Sequence, residues 1–304
     1  MYNFDNISRR SILRGGTIMV AGALADAFVS TPARAGLFDT LNKVLDEGSK
    51  EGKILKGFGE VIGSQQEVDY NTERTIGESL ALEGFARYGL PIKDKGLQNY
   101  VNTVGAAVAR NSERPSIGYN FVVVKSDLQN AFACPGGIIF ISGALFKTLK
   151  DEAQLAGVLA HELAHVGHKH ALQSIQRAKL LQGMGTITAE AVGGEKAKQF
   201  GQMINGLQTI LFDKGLDGQM EYEADLTAMR TAYNTGYDPA AMIEVLAELK
   251  RLEGRSTKAG SWFSTHPPLN SRIQKCKNEL HKYSDRGSLA RVSKRFAGYR
   301  KKVR

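Results

Sequence analysis

Residues 151–172 read DEAQLAGVLAHELAHVGHKHAL, and this stretch decides the fold. Leu155, Val158, Leu159 and Val166 recur at helical spacing, with no proline or β-branched run between them. On such a helix His161 and His165, four apart, stand one above the other on a single face. Both imidazoles can then aim at one point, as two ligands of one metal ion must. Glu162 sits beside them, placed to take a proton from an activated water. The plainer alternative is two ordinary histidines at the margin of an apolar stripe.

Two imidazoles do not complete a catalytic site, which takes three protein ligands and keeps one position for water. His168 and His170 are near, but the extended pattern H-E-x-x-H-x-x-G-x-x-H needs glycine where His168 stands and histidine where Ala171 stands. Farther on, Glu221 and Asp225 lie four apart in a second helical pattern marked by Met220, Ala224, Leu226, Met229 and Tyr233. The first carboxylate can bind a metal, and the second can accept the free ring N–H of a liganding histidine. In isolation such a pair would read as an acidic, solvated helix start.

Two further blocks complete a pattern: Asn130-Ala131-Phe132-Ala133 with Pro135-Gly136-Gly137 before the histidine helix, and Ser264-Thr265-His266-Pro267-Pro268 through Arg272 after the acidic one. The four blocks in this order resemble the M48 zinc metallopeptidases over most of 64–280. The resemblance implies an α+β, mainly helical, zincin-like metallopeptidase domain, with a small β-sheet whose edge strand flanks the active-site helix. It implies one zinc ion per chain on His161, His165 and Glu221, Glu162 as general base and Asp225 behind a liganding histidine. His266 and Arg272 become candidates to face the oxyanion, and His266 alternatively a fourth ligand that holds the enzyme off. The chain departs from the family at its ends. No membrane-spanning pattern is seen, and the sequence stops before the helical-repeat domain of some periplasmic members.

Length and composition suit this reading. The 304 residues are 42% hydrophobic and 23% charged, ordinary for a globular chain of one large or two small domains. Net charge is +9, with a basic cluster in the last residues from Arg291 to Arg304. Such a tail can touch nucleic acid or anionic lipid, but no nucleic-acid motif accompanies it, and a solvated tail over 285–304 is the simpler reading. At the other end, Arg9-Arg10 precede an apolar run from Gly15 to Val29, followed by Ala33-Arg34-Ala35. Residues 1–35 therefore read as a twin-arginine-type signal peptide and 36–63 as a helical arm, ahead of a peptidase domain over 64–284. This predicts a periplasmic protein, possible peripheral membrane contact and no nucleic-acid partner. Cys134 and Cys276 are too few and too far apart to establish a disulfide, and Cys134 reads as a small buried apolar residue.

In chain order, helices are expected over Ser64–Tyr88 and Lys95–Ala109, then strands at Tyr119–Lys125 and Ile138–Ile141. Residues 172–219, rich in glycine, read as weak helices covering a cleft or as ordinary core helices. Further helices follow near Glu221, from Asp238-Pro239 to Glu253, and from Ser271 to Tyr283. An edge strand offers unpaired backbone groups and so binds extended peptide with little regard for sequence. Ile139, Phe140 and Ile141, with Asn130 and Ala131, are the candidates for that role, against a core strand with no free edge. The expected substrates are unfolded or misfolded envelope proteins. The competing class is a metal-stabilised holdase or assembly factor that binds such chains without cutting them.

Overall fold

The computed structural model describes residues 68–181, 204–253, 265–266 and 269–303. The segments expected to form a signal peptide (1–35) and an arm (36–63), residues 182–203 and the loop around Trp262 lie outside the described residues. Within them the chain folds as helices on both faces of a small sheet. Helix α1 (Tyr70–Tyr88) is capped by Asp69, whose carboxylate accepts from the N–H groups of Asn71 and Thr72. Helix α2 (Lys95–Ala109), capped by Asp94, has the expected bounds.

Three strands follow: β1 (Asn120–Val124), β2 (Ala131–Cys134) and β3 (Ile138–Ser142). Their order is β1-β3-β2. β1 runs parallel to β3, with Phe121 opposite Ile139, and β2 runs antiparallel to it, with Ala131 opposite Ile141. The β2–β3 turn contains Gly136 and Gly137 at φ 74° and 96°. A Cβ on Gly136 would meet Arg74 Cα at 2.6 Å, so both the dihedral and the close approach require glycine.

The sheet places β3 in the centre, which corrects the expectation that Ile139, Phe140 and Ile141 form a free edge. The physical reason is in the strand itself. Ile138–Ser142 is buried at every position, as befits a strand paired on both sides and covered on both faces. Alternate side chains serve the two faces. Phe132, Cys134, Ile138 and Phe140 pack with Ile76, Leu80 and Phe85 of α1. Ala131, Ala133, Ile139 and Ile141 belong instead to the larger core on the other side.

That larger core surrounds α4 (Glu152–Gly167), reached through the short helix α3 (Gly143–Thr148). Every residue of α4 from Glu152 to Val166 is buried, so the helix runs through the middle of the domain. It packs along α6 (Gly218–Asn234), α2, α7 (Ala240–Glu253) and β2. Between α4 and α6 lie α5 (His170–Leu181) and a π-helical segment, Thr209–Lys214. Leu211 and Phe212 there, and Leu207 just before, are buried beside Leu172 and Ile175 of α5, so this described part of 172–219 is packed core. Helix α8 (Leu269–Glu279) crosses behind α6 and α7.

The basic C-terminal segment is not a solvated tail through its described length. Helix α9 (Ser293–Arg300) buries Phe296 completely and stacks Tyr299 on Tyr100 at 3.9 Å between centroids. Arg295 Nε donates to Glu152 Oε2 at 2.8 Å, and Arg291 pairs with Asp151 at 3.0 Å. Phe296 and Tyr299 stand three apart on the helix, a spacing that gives this short basic stretch an apolar face. Cys134 and Cys276 are both free and buried.

Candidate metal centre and active site

The two histidines of α4 and the first-turn glutamate of α6 meet across the α4–α6 contact. His161 Nε2 lies 3.5 Å from Glu221 Oε2, His165 Nε2 lies 3.6 Å from Glu221 Oε1, and the two Nε2 atoms are 3.0 Å apart. His266 joins them: one ligand atom from each of the four residues falls within 4.8 Å of the others, and all four are buried. Both oxygens of Glu221 are buried without a hydrogen bond, although Arg272 Nη1 stands 2.8 Å from Oε2 as an ion-pair partner. Burying an under-satisfied carboxylate against two imidazoles is costly in a protein of this size, and a cation among them would satisfy all three. The donor set of imidazole nitrogen and carboxylate oxygen fits a divalent metal of the zinc type.

Asp217 caps α6 through the N–H groups of Gln219 and Met220 and so sets where Glu221 begins its turn. One turn on, Asp225 Oδ1 stands 3.0 Å from His161 Nδ1. A carboxylate can only accept, so with a metal bound His161 would keep its proton on Nδ1 and turn its Nε2 lone pair towards Glu221 and His165. Burial alone would lower the His161 pKa; the neighbouring carboxylates of Asp225 and Glu221 outweigh it and, without metal, raise it to about 9. His165 goes the other way, well below the ordinary histidine value, through burial and its histidine neighbours.

Arg272 of α8 is fully buried behind this pair. Its Nε and Nη2 donate to the two oxygens of Asp225, each at 2.7 Å, and Nη1 donates to the His266 carbonyl at 2.7 Å. The guanidinium therefore ties α8, α6 and the His266 loop together, and its bidentate fork is occupied. The structure does not place it on the open side of the site.

Glu162 is also fully buried, and neither oxygen makes a well-formed hydrogen bond. Burial pushes its carboxyl up to about 8, partly offset by the charge of His161. It faces a cleft lined by Phe132, Ala133, His165, Leu172, Leu216 and His266 among others. β2 is the edge of the sheet on this side and packs against α4. Asn130 and Ala131 thus lie at the strand edge beside the site, whereas Ile139, Phe140 and Ile141 lie one strand inward.

His266 is held by a chain of polar groups. Its Nδ1 is 2.8 Å from Thr265 Oγ1, which lies 3.3 Å from Asn130 Oδ1, and Asn130 Nδ2 donates to the Tyr88 hydroxyl at 3.1 Å. With the threonine hydroxyl donating to Asn130, His266 Nδ1–H donates to Thr265, and its Nε2 presents a lone pair 3.7 Å from Glu162 Oε1. Gly215 backs this loop at φ 80°; a Cβ there would meet the Thr265 carbonyl oxygen at 2.3 Å. The π-helical segment and the His266 loop are consequently in backbone contact.

His170 does not fit the extended histidine pattern in the sequence, yet it is fully buried, with Nδ1 2.8 Å from His165 Nδ1. The signal was hidden because it needs a helix break. α4 ends at Gly167, and Lys169 takes φ 55° before α5 begins at His170, which folds that imidazole back onto α4. Burial holds His170 neutral, with a pKa lowered to about 4.

The architecture and this centre define a metal-binding helical peptidase domain, and comparison with known proteins agrees. The model of Peptidase family M48 matches residues 96–280, and the chain belongs to that family. Among curated relatives, the beta-barrel assembly-enhancing protease of Yersinia pestis is 29% identical over 237 residues, covering 75% of this chain and 47% of that protein. The protein of the same name from Escherichia coli K12 is 26% identical over 271 residues, covering 86% and 50%. The mitochondrial metalloendopeptidase OMA1 of Schizosaccharomyces pombe is 26% identical over 224 residues, covering 70% and 63%. The chain thus spans about half the length of the bacterial relatives. Among the described residues no helix is long and apolar enough to cross a membrane.

Proposed function

We propose that this chain is a zinc-dependent endopeptidase that hydrolyses unfolded or misfolded proteins of the bacterial envelope. The observation that carries the reading is the convergence of His161, His165 and Glu221 beside the buried, unsatisfied carboxylate of Glu162. Zinc held by the three residues would supply Lewis acidity towards a scissile carbonyl and an attacking water. Glu162 would take the proton of that water and pass it to the departing amine, a task its buried carboxylate, with no hydrogen bond of its own, is placed to perform. Asp225 fixes the His161 tautomer, and Arg272 holds Asp225, Glu221 and the His266 carbonyl in register. Arg272 is thus a positioning residue. An extended substrate is best accommodated along the outer edge of β2, from Asn130 to Cys134, next to the cleft.

The Thr265-bonded tautomer supports His266 as a fourth, closing ligand, because its inward nitrogen offers a lone pair and no proton. His266→Ala is then expected to raise cleavage of an unfolded protein several-fold. A fall of roughly tenfold would instead assign His266 to transition-state stabilisation, and unchanged activity would remove both roles.

The envelope setting rests on the twin-arginine pattern over 1–35 and on the names of the bacterial relatives. Protein recovered from the periplasmic fraction should carry one zinc per chain and cleave casein in a reaction that a chelator stops and zinc restores. Zinc-dependent binding of unfolded chains without cleavage would select the holdase reading.

A further inference from the structure

Asp225 accounts for the orientation of one imidazole only. His165 has no carboxylate of its own among the described residues, yet its Nδ1 must carry the proton if its Nε2 is to face Glu221. The chain beyond it supplies the missing constraint. His165 Nδ1 lies 2.8 Å from His170 Nδ1, and His170 Nε2 lies 3.1 Å from Glu223 Oε2. Glu223 is on α6, two residues after Glu221, with half of its side chain exposed.

The proton positions along this row follow from donor and acceptor chemistry alone. The Glu223 carboxylate only accepts, so His170 Nε2 bears a hydrogen. A neutral imidazole has one donor and one acceptor, so His170 Nδ1 offers a lone pair. His165 Nδ1 must then donate to it, which leaves the His165 Nε2 lone pair directed at Glu221 and His161. With His170 neutral and Glu223 ionised, no other arrangement of hydrogens makes both contacts favourable.

We infer that His170 and Glu223 form a relay that sets the tautomer and ring orientation of His165, doing at one remove what Asp225 does directly for His161. His170 is a positioning residue that touches no substrate. The inference rests on the metal reading of His161, His165 and Glu221. It explains why a fully buried polar imidazole is kept where α5 begins, at a site an aliphatic side chain could fill more cheaply. It also explains why α6 carries two further carboxylates, Glu223 and Asp225, within the turn that follows Glu221. Glu223 reaches α5 and Asp225 reaches α4, so the two ligand histidines are clamped from one helix.

The test is zinc affinity by competition with a chromophoric chelator, on the full chain. His170→Phe keeps the ring and removes both bonds; it is expected to weaken zinc by roughly 10- to 100-fold, the usual cost of losing such a partner. His170→Gln can accept from His165 and donate to Glu223, and should recover most of that loss. Glu223→Ala, a half-exposed change that leaves the core alone and removes the acceptor, should weaken zinc in the same direction by less. Unchanged affinity in His170→Phe, or equal loss in His170→Phe and His170→Gln, overturns the relay. If His170→Phe does not fold, Glu223→Ala decides, and wild-type affinity there overturns it. Wild-type protein that binds no stoichiometric zinc would sink the metal reading itself, an outcome distinct from these.

Discussion

Glu162→Gln is expected to lower peptide cleavage by roughly 100- to 10,000-fold, the range general-base catalysis commonly contributes, while zinc stays bound. Glutamine is isosteric and cannot take a proton from water. It lies outside the His161, His165 and Glu221 set, so metal content should not change. The metal-free protein offers a second readout. Because burial raises the Glu162 pKa from 4.5 to about 8, the folded chain holds that proton where the unfolded chain has released it. The stability this group contributes therefore falls as pH rises from 4.5 through about 8, and glutamine removes that dependence. Metal-free Glu162→Gln should be at least as stable as wild type at the upper end of the window, measured by denaturant titration. Activity within tenfold of wild type would remove Glu162 from the base role.

Glu221→Gln should behave with opposite signs in the presence and absence of zinc. Burial raises the Glu221 pKa, against the opposing pull of Arg272, so without metal a neutral amide is no worse accommodated than the carboxylate. Thermal stability of the metal-free variant should match or exceed that of metal-free wild type. With zinc present, wild type gains the free energy of binding and the variant does not, because the anionic ligand is gone. Substoichiometric zinc, loss of cleavage and no zinc-induced rise in Tm are the expected results. A variant that still binds zinc tightly would show that Glu221 is not a ligand.

Much of the centre could be read before any coordinates. The spacing of His161 and His165, and again of Glu221 and Asp225, is a statement about one face of one helix, and local periodicity carries it. The α2 bounds and the glycine turn before β3 were legible for the same reason. What failed was non-local. β2 has four residues, AFAC, all buried, and no alternation to separate it from the turn that follows. The family resemblance marks Asn130–Ala133 as a strand segment, but no spacing in the sequence encodes the order β1-β3-β2, so β3 reads as an edge. The row from His165 to Glu223 joins three helices through a left-handed residue at Lys169, and no spacing in the sequence encodes it. The family resemblance alone offers Arg272 to face the oxyanion, and no spacing in the sequence says what its fork touches. Only packing shows its fork already filled by Asp225.

That filled fork has a consequence for which ions the centre can tolerate. Glu162, Glu221 and Asp225 are three buried acids, and Arg272 is the base buried among them. A bound cation would take the place of the protons that these groups hold without it: with the three carboxylates ionised and the imidazoles neutral, the excess is two negative charges, which a doubly charged ion would balance. A singly or triply charged ion would leave an uncompensated unit in a medium of low polarisability, so the acid–base count of the interior would favour a divalent ion before coordination geometry discriminates among metals.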